Sequence, residues 1–293
     1  MARALTLPIR RPGLALAIAV VVLELVASLS APLWERDPFR PDLTGTTRVA
    51  GREVEVVSID GLPVGPCPRF PMGADMMGRD VFARLLHGTS VSLGVGLFAT
   101  LLGLVLGLTV GVVAGYFGGP LDTLLSRSMD VVLAFPILLF AVALATALEG
   151  SGAGTSVVVI ALATWPYLGR LVRAEVLRLR ALPFVEAARA VGGSHARVVL
   201  RHLLPNLAGP LLAFGTLSLA SNILFEAALS YLGVGVPPPT PSWGGMIRDG
   251  VPLYNVAWWI TVFPGLAIVA TALAWNTLGE ALERRFVPSR RSR

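Results

Sequence analysis

Lysine is missing from this 293-residue chain, so its formal net charge of +6 rests on arginine alone. A Walker-type phosphate loop needs its Lys to reach the β- and γ-phosphates, and none can be completed here. Any nucleotide-driven work must therefore draw on another polypeptide. Charged residues are also scarce, at 14% of the sequence against about a quarter in soluble domains, which excludes an ordinary soluble fold. Cys67 stands alone, so no intrachain disulfide can form. His87, His195 and His202 lack HExxH or Cys–His spacing, which argues against a metal site within the chain. Ser218, Ser221 and Ser230 lie in an apolar stretch with no neighbouring base. They do not make a hydrolase, and such hydroxyls ordinarily bond back to their own helix.

What is present is long apolar runs: 54% of residues are hydrophobic and the mean hydropathy is +0.72. The pattern predicts an all-α integral membrane protein with six transmembrane helices, at 13–32, 92–117, 131–148, 155–171, 207–236 and 258–278. The first run, with its basic start and small residues at Ala27, Ser28, Ser30 and Ala31, also fits a cleaved signal peptide. Its length approaches the roughly 20 residues that cross a bilayer, which favours a span. Glu24 within it is either a polar contact to another helix or a carboxyl neutralised by burial.

Three regions follow: 1–34, tail and first span; 35–91, an external segment ending in an interfacial helix; and 92–293, a five-helix core with a polar loop at 183–206. In the external segment 52–60 alternates as a short strand would, and the stretch from Gly73 has amphipathic helical spacing. In the second span Gly103, Gly107, Gly111 and Gly115 recur every fourth residue, so another helix can pack closely on that face. Pro136 is expected to kink the third span near its start. Glu226, about 30 Å along the fifth span, is expected near the outer interface, either as a solvated carboxylate or as a group that orients the adjoining loop or, with Trp243, forms a pathway mouth or outer rim. The proline-rich 236–243 reads as a rigid plug or rim.

The loop 184–206, FVEAARAVGGSHARVVLRHLLPN, reads as two short helices with a hinge at Gly192 and Gly193, a cap at Ser194 and a break or new first turn at Pro205. Between Arg170 and Arg201 there are seven Arg against two Glu, and five more Arg follow residue 283. The positive-inside rule therefore puts this loop and both termini in the cytoplasm, and it accounts for the basic balance without nucleic acid.

Several stretches together resemble the inner-membrane permease subunits of ABC importers of the dipeptide/oligopeptide/nickel type. Glu186, Ala187, Ala188 and Gly192, ending at Leu204 and Pro205, match that family's EAA loop. EAALSYLGVGVPPPTPSW at 226–243, FPGLAIVATALAWNTLG at 263–279, and the GRD, AGYFGG and AFP stretches at 78–80, 114–119 and 134–136 are similar to its other motifs. The resemblance implies a multi-pass subunit of the inner membrane, in contact with lipid, that binds no cofactor and is not itself an enzyme. Its partners would be a second permease, two ATP-binding subunits that use ATP and Mg, and an external solute-binding protein. Glu186, Ala187, Ala188, Gly192, Leu204 and Pro205 would couple to an ATPase subunit. The cargo would be di- or oligopeptides, with nickel, glutathione or another small solute as the alternative. A self-sufficient secondary transporter would need buried midplane charges, for which only Glu24 qualifies. Two features depart from the family: a longer external segment, and Met76 and Met77 beside the GRD stretch.

Overall fold

The computed structural model describes residues 12–34 and 36–286. Arg3, Arg10 and Arg11, the basic start of the first run, and Arg290, Arg291 and Arg293, which enter the charge argument above, lie outside the described residues. Five helices are long and apolar enough to cross a bilayer: Pro12–Leu33, Val81–Phe117, Ala153–Arg180, His195–Tyr231 and Trp259–Phe286. Within these, α1 is Pro12–Ser30, α2 Val81–Phe117, α5 Ala153–Arg180, α8 Leu204–Tyr231 and α10 Trp259–Phe286. Between α2 and α5 lie α3 (Gly119–Leu133) and α4 (Ile137–Ala147), which pass the same test only as a pair bent by 93°.

The expected third span at 131–148 is thus not one kinked helix. Pro136 has no N–H to donate and disfavours a helical Phe135, so the chain breaks at 134–136 and α4 is left with 11 residues. The pair still carries the chain back along the bundle. Gly103, Gly107, Gly111 and Gly115 of α2 meet residues 161–164, 165–169, 169–172 and 173–176 of α5 in the same order, so the two helices run parallel. Parallel neighbours require the chain to return between them. Asp122 meets Arg173 and Asp130 meets Arg170, which starts that return in α3; Ala141 and Ala145 then join the core of Val95, Ala99, Val159 and Ile160. By the same logic α1 and α8 run opposite to α2, and α10 opposite to both, as the Ser28–Ser90, Thr100–Asn222, Glu24–Thr271 and Leu217–Gly279 contacts require. The start of α1 and the end of α10 therefore lie on the face that carries residues 183–206.

A second difference concerns the start of α2. The interfacial helix expected from Gly73 does not form separately: 73–80 is a turn closed by an Ala74–Asp80 bridge. The helix begins at Val81, where the Asp80 carboxylate accepts the N–H of Phe82, and runs 37 residues without a break at 91. It is about 55 Å long. Segment 36–80 holds a two-stranded antiparallel sheet, β1 (Thr46–Val49) and β2 (Arg52–Glu55), shorter than the strand expected at 52–60. The segment has its own small core of Val56, Val64, Phe70 and Ala74. It is fixed to the bundle by a buried ion cluster, with Asp75 paired to Arg79 at 2.7 Å and to Arg84 at 3.4 Å.

Candidate functional site

The loop at 183–206 folds as α6 (Pro183–Ala190) and α7 (His195–Val198), followed by a π-helical turn, Val199–Leu203, that runs straight into α8. Pro183 sits in the first turn of α6, where a missing N–H is harmless. Gly192, at φ +80°, turns the chain between the helices, and Ser194 caps α7 by accepting the N–H of Arg197. Of the two expectations for Pro205 the second holds: it sits in the first turn of α8, where its missing N–H is harmless. Val185, Val198, Leu203 and Leu207 are buried in one cluster with Val172, Val176 and Leu179 of α5, and Leu204 packs on its edge. That anchoring leaves Glu186, Ala187, Arg189, Gly192 and Pro205 exposed, with Ala188 half-buried. A shallow groove of about 310 Å³ lies between the two helices, lined by Phe184, Ala187, Ala188, Val191, Arg197 and His202 among others. Around it Glu186 is the acidic residue among Arg189, His195, Arg197 and Arg201, so the exposed face is basic with an apolar centre.

The loop also grips the end of α2. Arg180 donates to the carbonyls of Gly115 (2.9 Å) and Tyr116 (3.2 Å). The Tyr116 hydroxyl lies 2.9 Å from His195 Nδ1, and the Arg189 guanidinium stands 4.9 Å from the centre of the Tyr116 ring. In the sequence Tyr116 stands only within the AGYFGG stretch, and no spacing pattern links it to His195.

On the opposite face, the expectation of an exposed Glu226 is overturned. It is 0% exposed, not a solvated interfacial carboxylate and not the lining of a mouth. A further helix covers that side of α8: α9 (Trp243–Gly250), which no sequence pattern had assigned. Glu226 accepts from Ser230 at 2.7 Å, Ser230 accepts the N–H of Val236, and Ser92 of α2 accepts the N–H of Trp243. Trp243 is 1% exposed and packs on Gly88. Together these residues tie α2, α8 and the proline-rich loop into one node. Among the described residues no group of three His, Cys, Asp or Glu side chains is placed to hold a metal ion.

A family model for the "Binding-protein-dependent transport system inner membrane component" matches residues 107–292. The chain belongs to this family. It is 41% identical over 229 residues, 78% of its length, to the glutathione transport system permease protein GsiD of Escherichia coli O6:K15:H31, covering 75% of that protein. The GsiD protein of Shigella sonnei gives the same values. Among solved structures, the inward-facing MetNI methionine ABC transporter aligns with a TM-score of 0.53 at 19% identity, over 68% of this chain and 96% of that one. An amino acid ABC transporter with histidines gives 0.52 at 17%, over 69% and 94%. These structural matches support the fold. The protein is thus a multi-pass inner-membrane permease subunit of an ABC importer, and nucleotide hydrolysis belongs to its partner subunits.

In this permease the glycine row of α2 is packed against α5. A Cβ on Gly107 would come within 2.7 Å of Leu168, on Gly111 within 2.6 Å of the Gly169 carbonyl and on Gly115 within 2.9 Å of the Arg173 carbonyl; Gly103 has more room, at 3.5 Å. Glu24 is buried and accepts from Thr271 at 2.6 Å, a contact between α1 and α10 that is compatible with both of its expected roles.

Proposed function

We propose that this permease forms, with a second permease subunit, the path for di- or oligopeptides handed over by an external solute-binding protein. Two partner subunits that use ATP and Mg drive it through residues 183–206. The observation that carries this reading is the build of that loop. Val185 and Val198 root two short helices in the bundle, while Glu186, Ala187, Ala188 and the hinge at Gly192 are left to meet a partner. A small-residue surface lets a partner backbone approach closely, and Glu186 offers it a charge-assisted hydrogen bond. Leu204 and Pro205 join the loop to α8, so a displacement of the loop is passed to that span.

The loop face is the cytoplasmic one in this reading, because Arg127, Arg170, Arg178, Arg189, Arg197, Arg201, Arg284 and Arg285 gather there. Both termini are then cytoplasmic, and segment 36–80 faces the solute-binding protein. Glu226 and Trp243 hold the outer loop in place from beneath.

Glutathione is the second reading for the cargo, favoured by the identity to the GsiD proteins. Glutathione is itself a peptide, so both cargoes present amide groups, an ammonium and carboxylates. The test is uptake by the complete complex in liposomes, with glutathione, dialanine and Ni²⁺ offered in turn. Saturable, ATP-dependent uptake of dialanine that glutathione does not outcompete supports the peptide reading; selective uptake of glutathione or Ni²⁺ replaces it.

A further inference from the structure

We infer that Tyr116 is a positioning residue that carries displacement of loop 183–206 into α2, so that the loop and this helix move as one body. The inference rests on the proposed docking of the loop on an ATPase subunit. The chain itself joins the loop only to α5 and α8; α2 meets the loop through packing on α5 along its glycine row and through contacts at its last turn. Three separate elements hold the last turn of α2. The end of α5 does so through Arg180 on the carbonyls of residues 115 and 116, α6 through Arg189 on the Tyr116 ring, and α7 through His195 on the Tyr116 hydroxyl. Phe117 adds a ring contact to His195 at 5.8 Å. Tyr116 is 4% exposed, so its ring is enclosed by these groups.

Beyond this point the chain turns into α3. Gly118, at φ +70°, separates α2 from α3, and Gly119, at +61°, opens α3 with nothing within 4 Å of its Cβ position. α3 in turn stays tied to α5 by the Asp122–Arg173 and Asp130–Arg170 pairs. At its far end α2 starts at the buried Asp75, Arg79 and Arg84 cluster under segment 36–80. A pull at Tyr116 thus reaches the opposite face through one unbroken helix. Coupling of this kind requires a two-state element that both ends bias, and the loop with α2 is that element here.

The test uses the complete complex in liposomes with its solute-binding protein, reading solute taken up per ATP hydrolysed, with dialanine and glutathione as probes. Tyr116→Phe and His195→Gln each remove the hydroxyl–imidazole bond, and Tyr116→Leu also removes the ring under Arg189. Co-purification of the ATPase subunits should stay at the wild-type level. Solute per ATP should fall about fivefold in Tyr116→Leu, the low end of typical coupling factors, and less in Tyr116→Phe. An unchanged ratio in all three variants, or hydrolysis and uptake falling in proportion, overturns the inference.

A rescue arm guards against misfolding. Phe117→Cys with His195→Cys, in a Cys67→Ser background, should show the lowered ratio and regain it when a short bismaleimide joins the two cysteines. Failure to regain it after complete cross-linking also overturns the inference. If the wild-type complex shows no ATP-linked uptake, the docking proposal falls and takes this inference with it. Wild-type uptake with an unmoved ratio sinks this inference alone.

Discussion

The indole N–H of Trp259 donates to the carbonyl of Ala74 across 2.9 Å, joining the first turn of α10 to a segment 185 residues earlier. Ala74 is fully buried, and Gly73 at φ +80° lies so close that a Cβ there would strike the Trp259 ring. Trp259→Phe leaves that carbonyl without its donor, at about 1–3 kcal/mol. The expected outcome is a lower melting temperature in detergent and faster proteolysis within 36–80, with cleavage elsewhere unchanged. Equal protection of the segment in both proteins would show that the bond does not hold it.

The glycine row gives a paired test. Gly111→Ala puts a methyl group against the α5 backbone and is expected to destabilise the permease by about 1–3 kcal/mol. Gly94, in the same helix, has nothing within 4 Å of its Cβ position. Gly94→Ala should be neutral or stabilising by up to about 1 kcal/mol, since Ala favours helix. Thermal unfolding of the two variants side by side checks the order; equal shifts would contradict the packing.

For Glu226 the informative comparison is Gln against Ala. Gln keeps an acceptor for the Ser230 hydroxyl, so Glu226→Gln should change stability by less than about 1 kcal/mol. Ala removes the acceptor and leaves a cavity, at about 3 kcal/mol. Loss of the node should also free 236–243, read as faster labelling of a Cys placed at Thr240. Slow labelling in Glu226→Ala would mean that the loop is held by other contacts.

Asp80 caps α2 and is buried, and that burial holds its carboxyl above the ordinary value, against the pull of the Phe82 N–H and the Arg36 charge. A raised folded pKa means that the fold binds the proton more tightly than the unfolded chain does. The group therefore contributes most below its unfolded pKa, and this contribution declines as pH rises through the folded value. Asp80→Asn keeps the cap and removes the titration, so its melting temperature should depend less on pH across the acidic range. Asp80→Ala loses the cap as well, at about 1 kcal/mol. Parallel pH profiles for wild type and Asp80→Asn would refute the assignment.

Much of this architecture was legible because the sequence carries it as period. The Gly103–Gly115 row repeats at one face of a helix and did find a close partner in α5, while Gly192 and Ser194 carry turn and cap chemistry that works locally. What was hidden depends on contacts made across the fold. Depth along α8 placed Glu226 near one end but could not say that α9 would cover it, since eight residues are too few for periodicity to say what they pack against. Pro136 was readable as a disturbance, but the angle of the break depends on how α3 lies against α5 through Asp122 and Asp130. Tyr116 and His195 are joined only by the packing of the loop, 79 residues apart.

The central claim is that residues 183–206 form the element that meets an ATPase subunit, and Gly192→Val tests it most directly. Gly192 adopts φ +80° with open space around it, so a β-branched residue strains the hinge by about 1–2 kcal/mol without touching the bundle. In the co-expressed complex, membrane insertion should remain normal. ATPase co-purification and ATP-driven uptake should together fall about tenfold, as a strain of that size implies. Wild-type association and uptake in a normally inserted Gly192→Val protein would contradict the account.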